Sequence, residues 1–501
     1  MALNLEIDTA IYKYGLPMEW PDAVISEANQ LSSEILKKDK HNRIDFREHP
    51  LITIDDSNAQ DYDDAVCCQR TPSGWKLLVA IADVSAYVIS GSALDNEACL
   101  RGNSIYFPDR VIPMLPESLS NGLCSLNPQE DRLCLVCEML IDKKGEIAHS
   151  RFIEGIMRSQ ARLTYDELAA IVIMRDTDIR GQYKAFIPHL EELYQLYKIL
   201  KRARVRRGAI QFNQAETRIV FNSEKKIEHL ELLVRGDAQQ MIEEYMIAAN
   251  VAAGRFLQEN KAPILYRTHD GPTADKLENL RTFLRRFGIR LSGGEYPKPA
   301  HYTALLKRVA KRADDHLIET ALLRSLSRAV YHPKNTGHFG LSLNCCYTHF
   351  TSPIRRYPDL LIQRGIRHII RNGNCDGFNM KAERLKELST HCSLTECRAD
   401  GVMRDIIYWL KCEYMVDKVG KTFPAKIKAV TSFGLFVELD DIYIEGLVHI
   451  SRLYNDYYHF DPIHHRLQGK RNRRTYQLSE SIKVRLIRIN SQKRKIDFEP
   501  A

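Results

Sequence analysis

The sequence predicts a large mixed α/β domain of the α+β class followed by a small all-β domain. Three observations predict it. At 501 residues the chain is too long for one hydrophobic core. From His49 to about Gly373, strand-like apolar runs such as Leu51–Ile54 and Leu77–Ile81 mix with longer helical patterns, and helical segments resume over Asn379–Val416. After Gly420 the texture changes to short alternating strands with glycine turns. The expected division is an N-terminal linker over 1–45, a main domain over 46–416 and a β-domain over 417–501.

Residues 1–45 are polar, with helical patches and the breakers Gly15, Pro17 and Pro21, and read as a linker. A helix is expected over about Leu190–Val205, with Leu193, Tyr197 and Leu200 on one face. Its Lys201–Arg204 ending would complement the helix dipole. Another is expected over about Asp237–Leu257. In the last domain, the alternation Phe436-Val437-Glu438-Leu439 reads as a strand.

Composition sets limits. Residues are 44% hydrophobic and 27% charged, ordinary globular usage that excludes disorder, collagen and a small disulfide scaffold. The best apolar stretch, Trp75–Ile89, is broken by Lys76 and Asp83, so no membrane span is expected. The first residues lack a basic region leading into an apolar core, the pattern of a secretory signal. Among twelve cysteines only Cys134 and Cys137 have Cys-x-x-Cys spacing, with no second pair to complete a zinc site. Buried, reduced thiols fit better, in a cytoplasmic protein. The net charge of +8 is modest, but from Lys421 onward 15 Lys/Arg stand against 9 Asp/Glu. A basic terminal domain is the footprint of a phosphate partner, with a solvated basic surface as the alternative.

The sharpest feature is the run Thr53 to Ala65, in which Asp55, Asp56, Asp61, Asp63 and Asp64 put five carboxylates within ten residues, directly after an apolar strand. Carboxylates this dense repel one another unless cations neutralise them, and hard oxygens suit Mg²⁺ or Mn²⁺. A calcium loop starting at Asp61 would need glycine at Val66 and glutamate at Pro72, so that reading fails. A solvated acidic turn remains, opposed by the apolar flanks. The functional reading is a metal site for phosphodiester chemistry. Downstream, Ser352 followed by Pro353 reads as an N-cap and first helical position, with Arg355 in the first turn as a phosphate ligand. The structural alternative is an Arg355–Asp359 pair.

Ile54–Ala65, Ser104–Pro116, Ser120–Leu126 and His349–Tyr357 together closely resemble the RNB catalytic domain of the RNase II/RNase R exoribonucleases, nearest the bacterial RNase R branch, over about Ile44–Val416. The resemblance implies a processive 3′→5′ hydrolase of single-stranded RNA that releases 5′-nucleoside monophosphates. It implies Asp55, Asp61, Asp63 and Asp64 as ligands of two Mg²⁺ ions, with Asp63 and Arg355 as the catalytic pair. One metal would activate water and the other would stabilise the leaving oxygen. Arg355 would neutralise the scissile phosphate. Tyr106 matches the aromatic that stacks on the last base, where the alternative is a strand tyrosine in the core. Asp56 has no counterpart among the ligands. Glu243 and Glu244 could face the site or solvent.

Ala86, Gln363 and Pro272 depart from the family pattern, Pro272 standing where the RNase II branch has a second stacking phenylalanine. Val419–Leu439 and Gly446–Ser451 resemble an S1 RNA-binding domain, a five-stranded OB barrel, which implies Phe433, Phe436 and His449 on its RNA platform, and the chain also supplies the basic run Lys470–Arg474. The alternative puts Phe436 in the barrel core. Relatives of the RNase R branch carry cold-shock domains before the catalytic domain and a basic tail after the S1 module. The chain begins within what resembles the post-cold-shock linker, and weaker RNA capture is the expectation. The partner expected is single-stranded RNA with a free 3′ end, bound by a monomer. A catalytically silent RNA-binding protein of the same fold is the alternative.

Overall fold

The computed structural model describes residues 2–212, 216–222, 227–233, 235–312, 314–378, 380–440, 442–454, 456–461, 466–491 and 494–501. Its centre is a seven-stranded sheet ordered β1-β8-β7-β4-β3-β2-β9. These strands are β1 (Ile44–Asp45), β2 (Ile52–Asp55), β3 (Asp64–Thr71), β4 (Gly74–Ala82), β7 (Asp131–Asp142), β8 (Ile147–Arg158) and β9 (Ala161–Thr164). The short pair β5 (Ile105–Tyr106) and β6 (Val111–Ile112) lies outside it. β1 and β9 join parallel at the two edges, and the inner strands are antiparallel.

Both faces of this sheet are covered, which is why β4 is almost continuously apolar instead of alternating. Leu77, Val79, Ile81, Leu135 and Cys137 face one core, packed by α6 (Ile187–Arg207) and α7 (Asp237–Glu259). Leu78, Ala80, Ala82, Cys134 and Val136 face the other, with α3 (Ala93–Arg101), α11 (Tyr357–Asn372) and α12 (Ala382–Val416). Cys134 and Cys137 therefore point to opposite faces, as residues three apart on a strand must, and cannot share a metal. The described cysteines are all free.

Residues 1–45, expected as a linker, carry α1 (Ala2–Tyr14) and α2 (Asp22–Gln30). Ile7, Ala10 and Ile11 of α1 are buried against Val402, Ile406 and Trp409 of α12, so the segment is docked. The helix at 190–205 forms as expected, but Lys201 and Arg204 do more than cap it. Lys201 pairs with Asp237, and Arg204 pairs with Glu243 and Glu244, clamping α6 to α7. Glu244 is buried by that clamp, so Glu243 and Glu244 face Arg204 and not the aspartate loop.

Short helices α4 (Tyr165–Ala169) and α5 (Thr177–Gln182) follow β9, and α8 (Ala274–Arg286), α9 (Pro299–Val309) and α10 (Asp315–Ser325) form a lobe with its own core. β10 (Glu216–Phe221) pairs with β11 (Ile227–Leu233), and β12 (Tyr266–Thr268) with β13 (Val330–His332). No described helix is long and apolar enough to cross a membrane.

The last domain is a closed barrel of β14 (Thr422–Thr431), β15 (Gly434–Leu439), β16 (Glu445–His449), β21 (Lys495–Pro500) and β20 (Ser481–Asn490). Between β16 and β20 the chain makes a separate sheet of β17 (Tyr458–Asp461), β18 (Arg466–Gly469) and β19 (Thr475–Gln477). Cys412 and Met415 of α12 enter the barrel core and tie the domain to the body.

Candidate active site

The aspartate loop spans the end of β2 to the start of β3, and three distant segments hold it in shape. Ser125 Oγ donates to the Gln60 carbonyl (2.7 Å) and accepts the Tyr62 N–H (3.0 Å), while Asn121 Nδ2 donates to Gln60 Oε1 (3.1 Å). The Ala82 N–H donates to the Asp63 carbonyl (2.9 Å). Ile354 N–H donates to the Asp63 carboxylate Oδ1 (2.9 Å). Ser104 N–H donates to the Arg355 carbonyl (3.0 Å), joining the strand that carries Tyr106 to the same place. Four segments quoted above from the sequence thus meet at one point.

Asp55, Asp61, Asp63, Asp64, Tyr106 and Arg355 all belong to this cluster. Asp63 is 4% exposed. Burial pushes its carboxyl well above the ordinary range, with Arg355 opposing and Asp61 adding to the rise. Burial followed by repulsion from Asp55 lifts Asp64 to about 7. Burial also raises Asp55, again opposed by the Asp56 N–H and Arg355. Arg355 is the basic side chain acting on all three. Its Nε lies 3.5 Å from Asp63 Oδ2 and its Nη2 donates to Ser352 Oγ (3.0 Å). Asp56 is exposed at the rim.

The helix start differs from expectation. α11 begins at Tyr357, with Pro358 in its first turn, so Ser352 and Pro353 lie in the preceding turn. Asp359, fully buried in the first turn of α11, reaches back to that preceding turn. Its Oδ1 accepts the Ser352 N–H (2.8 Å) and Arg356 Nη2 (2.7 Å). The alternative Arg355–Asp359 pair does not form, Arg356 taking the place of Arg355. This frees Arg355 to turn toward the aspartates.

Tyr106 is not a core tyrosine. It is 39% exposed, and its hydroxyl donates to Asp61 Oδ2. Two neighbours were not singled out from sequence. Tyr165 follows Thr164, the parallel partner of Asp55, and its hydroxyl is raised by burial and by Asp55 and Asp64. Arg162 donates to the carbonyls of Asp56 (3.0 Å) and Ser57 (2.7 Å), bracing the loop from outside. Only the register of β9 on β2 brings them here, a pairing no local motif announces. Gln363 is fully buried and bonds the Ala82 carbonyl and the Ser85 N–H, bracing the strand beneath Asp63.

Among the described residues no three His, Cys, Asp or Glu side chains already converge closely enough to form a preformed metal cage. The donor set nevertheless fits a hard divalent ion. Asp63 Oδ2 is buried without a hydrogen-bond partner, and Arg355 alone leaves Asp55, Asp63 and Asp64 raised. A cation would relieve that unbalanced charge.

In the barrel, Leu435, Val437 and Val448 fill the interior, so Phe436 alternates outward. Phe433 sits at the tip of the β14–β15 hairpin, 47% exposed, its ring edge-on to Phe436 at 5.9 Å. His449 is exposed and pairs with Gly434, placing it on the same face as Phe436.

Comparison with known proteins places these features in context. The RNB domain model matches residues 43–372, and the S1 RNA binding domain model matches 416–499. Ribonuclease R of Escherichia coli (strain K12) is 47% identical over 507 residues, which cover 99% of this chain and 62% of that protein. Ribonuclease R of Vibrio parahaemolyticus is 48% identical over 509 residues, covering 100% of this chain and 61% of that protein. The chain thus spans less than two thirds of the length of these curated relatives. Mycoplasma genitalium RNase R in complex with ribose methylated single-stranded RNA superposes with a TM-score of 0.90 at 28% identity, over 100% of this chain and 78% of that one.

Proposed function

The chain belongs to the RNB family and ends in an S1 RNA binding domain, and on that premise we propose that it is a processive 3′→5′ exoribonuclease. It would hydrolyse single-stranded RNA from a free 3′ end to 5′-nucleoside monophosphates, acting as a cytoplasmic monomer. The observation that carries this reading is Asp63, a buried carboxylate with one oxygen lacking a hydrogen bond, facing an arginine held on a separate loop.

Asp55, Asp61, Asp63 and Asp64 would hold two divalent ions, Mg²⁺ or Mn²⁺. When bound, the ions supply a water acidic enough to attack phosphorus and a counter-charge for the leaving 3′ oxygen. The rest of the work falls to the chain. Arg355 neutralises charge growing on the scissile phosphate, since its fork of donors is fixed before substrate arrives. Tyr106 offers an exposed ring beside Asp61, on which the last base stacks and sets the register of the terminus. Every base has such a face, so degradation can ignore sequence. Phe433, Phe436 and His449 provide an outward aromatic platform for the incoming strand.

Incubating a 5′-labelled oligoribonucleotide with the protein and Mg²⁺, without phosphate, tests the proposal. A ladder shrinking to a short limit product, and abolished by a chelator, is expected. RNA that is bound yet stays full length would favour the catalytically silent alternative. Activity appearing only with added phosphate would replace hydrolysis by phosphorolysis.

A further inference from the structure

The sheet β17–β18–β19 stands outside the barrel and carries the basic run Lys470–Arg474 in its β18–β19 turn. All five residues of that turn are exposed. Four cations in five residues repel one another, so a flexible turn would spread them apart. Here they are held in one shape instead. The Asp456 carboxylate Oδ2 accepts the N–H groups of Arg471 and Asn472, each at 2.7 Å. Lys470 N–H donates to the Tyr457 carbonyl (2.9 Å), and Asn472 Oδ1 accepts the Arg474 N–H (2.8 Å).

Gly469 closes the arrangement. A Cβ there would lie 2.2 Å from Asn472 Oδ1 and 2.6 Å from Asp456 Oδ2, so only glycine lets the strand pass beneath the staple. The fold therefore fixes a basic turn against the segment carrying Tyr457, whose ring is 74% exposed.

Charge at this tip is unbalanced. Asp456 accepts backbone N–H groups and its charge also acts on Arg471, but among the described residues no carboxylate lies within ion-pair distance of Lys470, Arg471 or Arg473. Arg474 lies over the Tyr476 ring at 4.8 Å. A rigid cationic turn beside a bare aromatic ring matches a polyanion that also carries flat rings. An acidic protein surface would satisfy the cations but leave Tyr457 unused.

We propose that this tip is a second RNA contact, in which Lys470, Arg471 and Arg473 grip backbone phosphates and Tyr457 stacks on a base. It is built on different strands from the Phe433–Phe436–His449 face. The inference rests on the reading that the chain acts on RNA. A strand engaged at both places is harder to lose between rounds of cleavage.

The test measures binding of a fluorescent single-stranded 20-mer RNA to the full chain in EDTA, across about 50–300 mM salt. The triple variant Lys470→Ala, Arg471→Ala, Arg473→Ala should weaken binding about tenfold at moderate salt. It should also flatten the log–log salt slope by about 2, since each lost phosphate contact removes roughly 0.7 on a single strand. Tyr457→Ala should weaken binding about fivefold or more, and Tyr457→Phe should not, because the ring is what stacks. Wild-type affinity and slope in the triple variant would overturn the inference while leaving the exonuclease reading intact. A wild-type chain that neither binds nor cleaves RNA would overturn both.

Discussion

The carboxylate of Asp63 accepts a hydrogen bond from the backbone N–H of Ile354, 291 residues further along the chain, at 2.9 Å. That bond locks the acidic loop to the turn presenting Arg355, so negative and positive halves of the site are set by one contact. It also fixes how Asp63 can be altered. Asp63→Asn keeps a carbonyl oxygen for Ile354 but removes the charge. Cleavage should fall at least about 100-fold, as for loss of one preorganised electrostatic group, while RNA affinity in EDTA stays near wild type. Lost binding with normal turnover of bound RNA would contradict the assignment.

Arg355 reaches Asp63 through Nε and Ser352 through Nη2. Lysine carries the charge but not the fork. Arg355→Ala should therefore lower kcat by about 100- to 1000-fold, and Arg355→Lys should recover only part of it. Single-turnover kinetics with saturating enzyme separate this from binding. Full activity in the lysine variant would show that charge alone suffices.

Tyr106 is tied to Asp61 by its hydroxyl and offers its ring to the opening. Tyr106→Ala should change the length of the limit product on a denaturing gel. Tyr106→Phe keeps the ring and should keep that length. An unchanged product in the alanine variant removes the proposed register role.

Asp359 acts at one remove, by holding the turn that carries Arg355. It is fully buried, bonded to Ser352 N–H and Arg356, with its other oxygen unpartnered. Asp359→Ala leaves Arg356 without its partner and should cost about 3 kcal/mol of stability, read by denaturant unfolding. Asp359→Asn retains an acceptor for Ser352. It should restore more kcat than stability if the turn's shape is what matters, and equal losses in both would argue otherwise.

The histidine cluster behind the site predicts acid sensitivity. Burial, then His269 and Arg267, depress His338 to about 3, and its Nδ1 accepts the Leu341 N–H (3.2 Å). Burial also lowers His269. A histidine whose folded pKa is depressed stabilises the protein above its unfolded value near 6.5. That contribution is lost as pH falls toward 3, because the unfolded chain takes up the proton first. Through His338, stability should decline by about 1.4 kcal/mol per pH unit across that window. His338→Asn should flatten the pH dependence of unfolding free energy, and an unaltered slope would show that His338 does not carry it.

Much of this molecule was legible from residue order alone. The β-domain announced itself by the alternation around Phe436, and the helix at 190–205 by its apolar face. The aspartate run stood out because five carboxylates in ten residues repel one another unless a cation shares the space. Local reading failed where a contact from another element outbid the expected one. Ser352-Pro353 has the grammar of a helix start, yet the buried Asp359 takes the Ser352 N–H, and the helix begins at Tyr357. Lys201 and Arg204 have the look of a dipole cap, yet carboxylates on the neighbouring helix claim them.

The sequence by itself determined the two fold types and marked the acidic loop as a candidate site for a hard cation, because these follow from residue type and short spacing, while the candidate catalytic side chains came from the resemblance of whole motifs. Tertiary structure alone decided which arginine faces Asp63, that Tyr106 leans on Asp61, that Tyr165 and Arg162 border the loop, and that Asp456 and Gly469 staple a basic turn to Tyr457. Those choices depend on strand register and on hydrogen bonds between segments far apart in the chain. A buried donor pairs with whichever acceptor the packed fold brings within about 3 Å, and that acceptor carries no mark in its own neighbourhood.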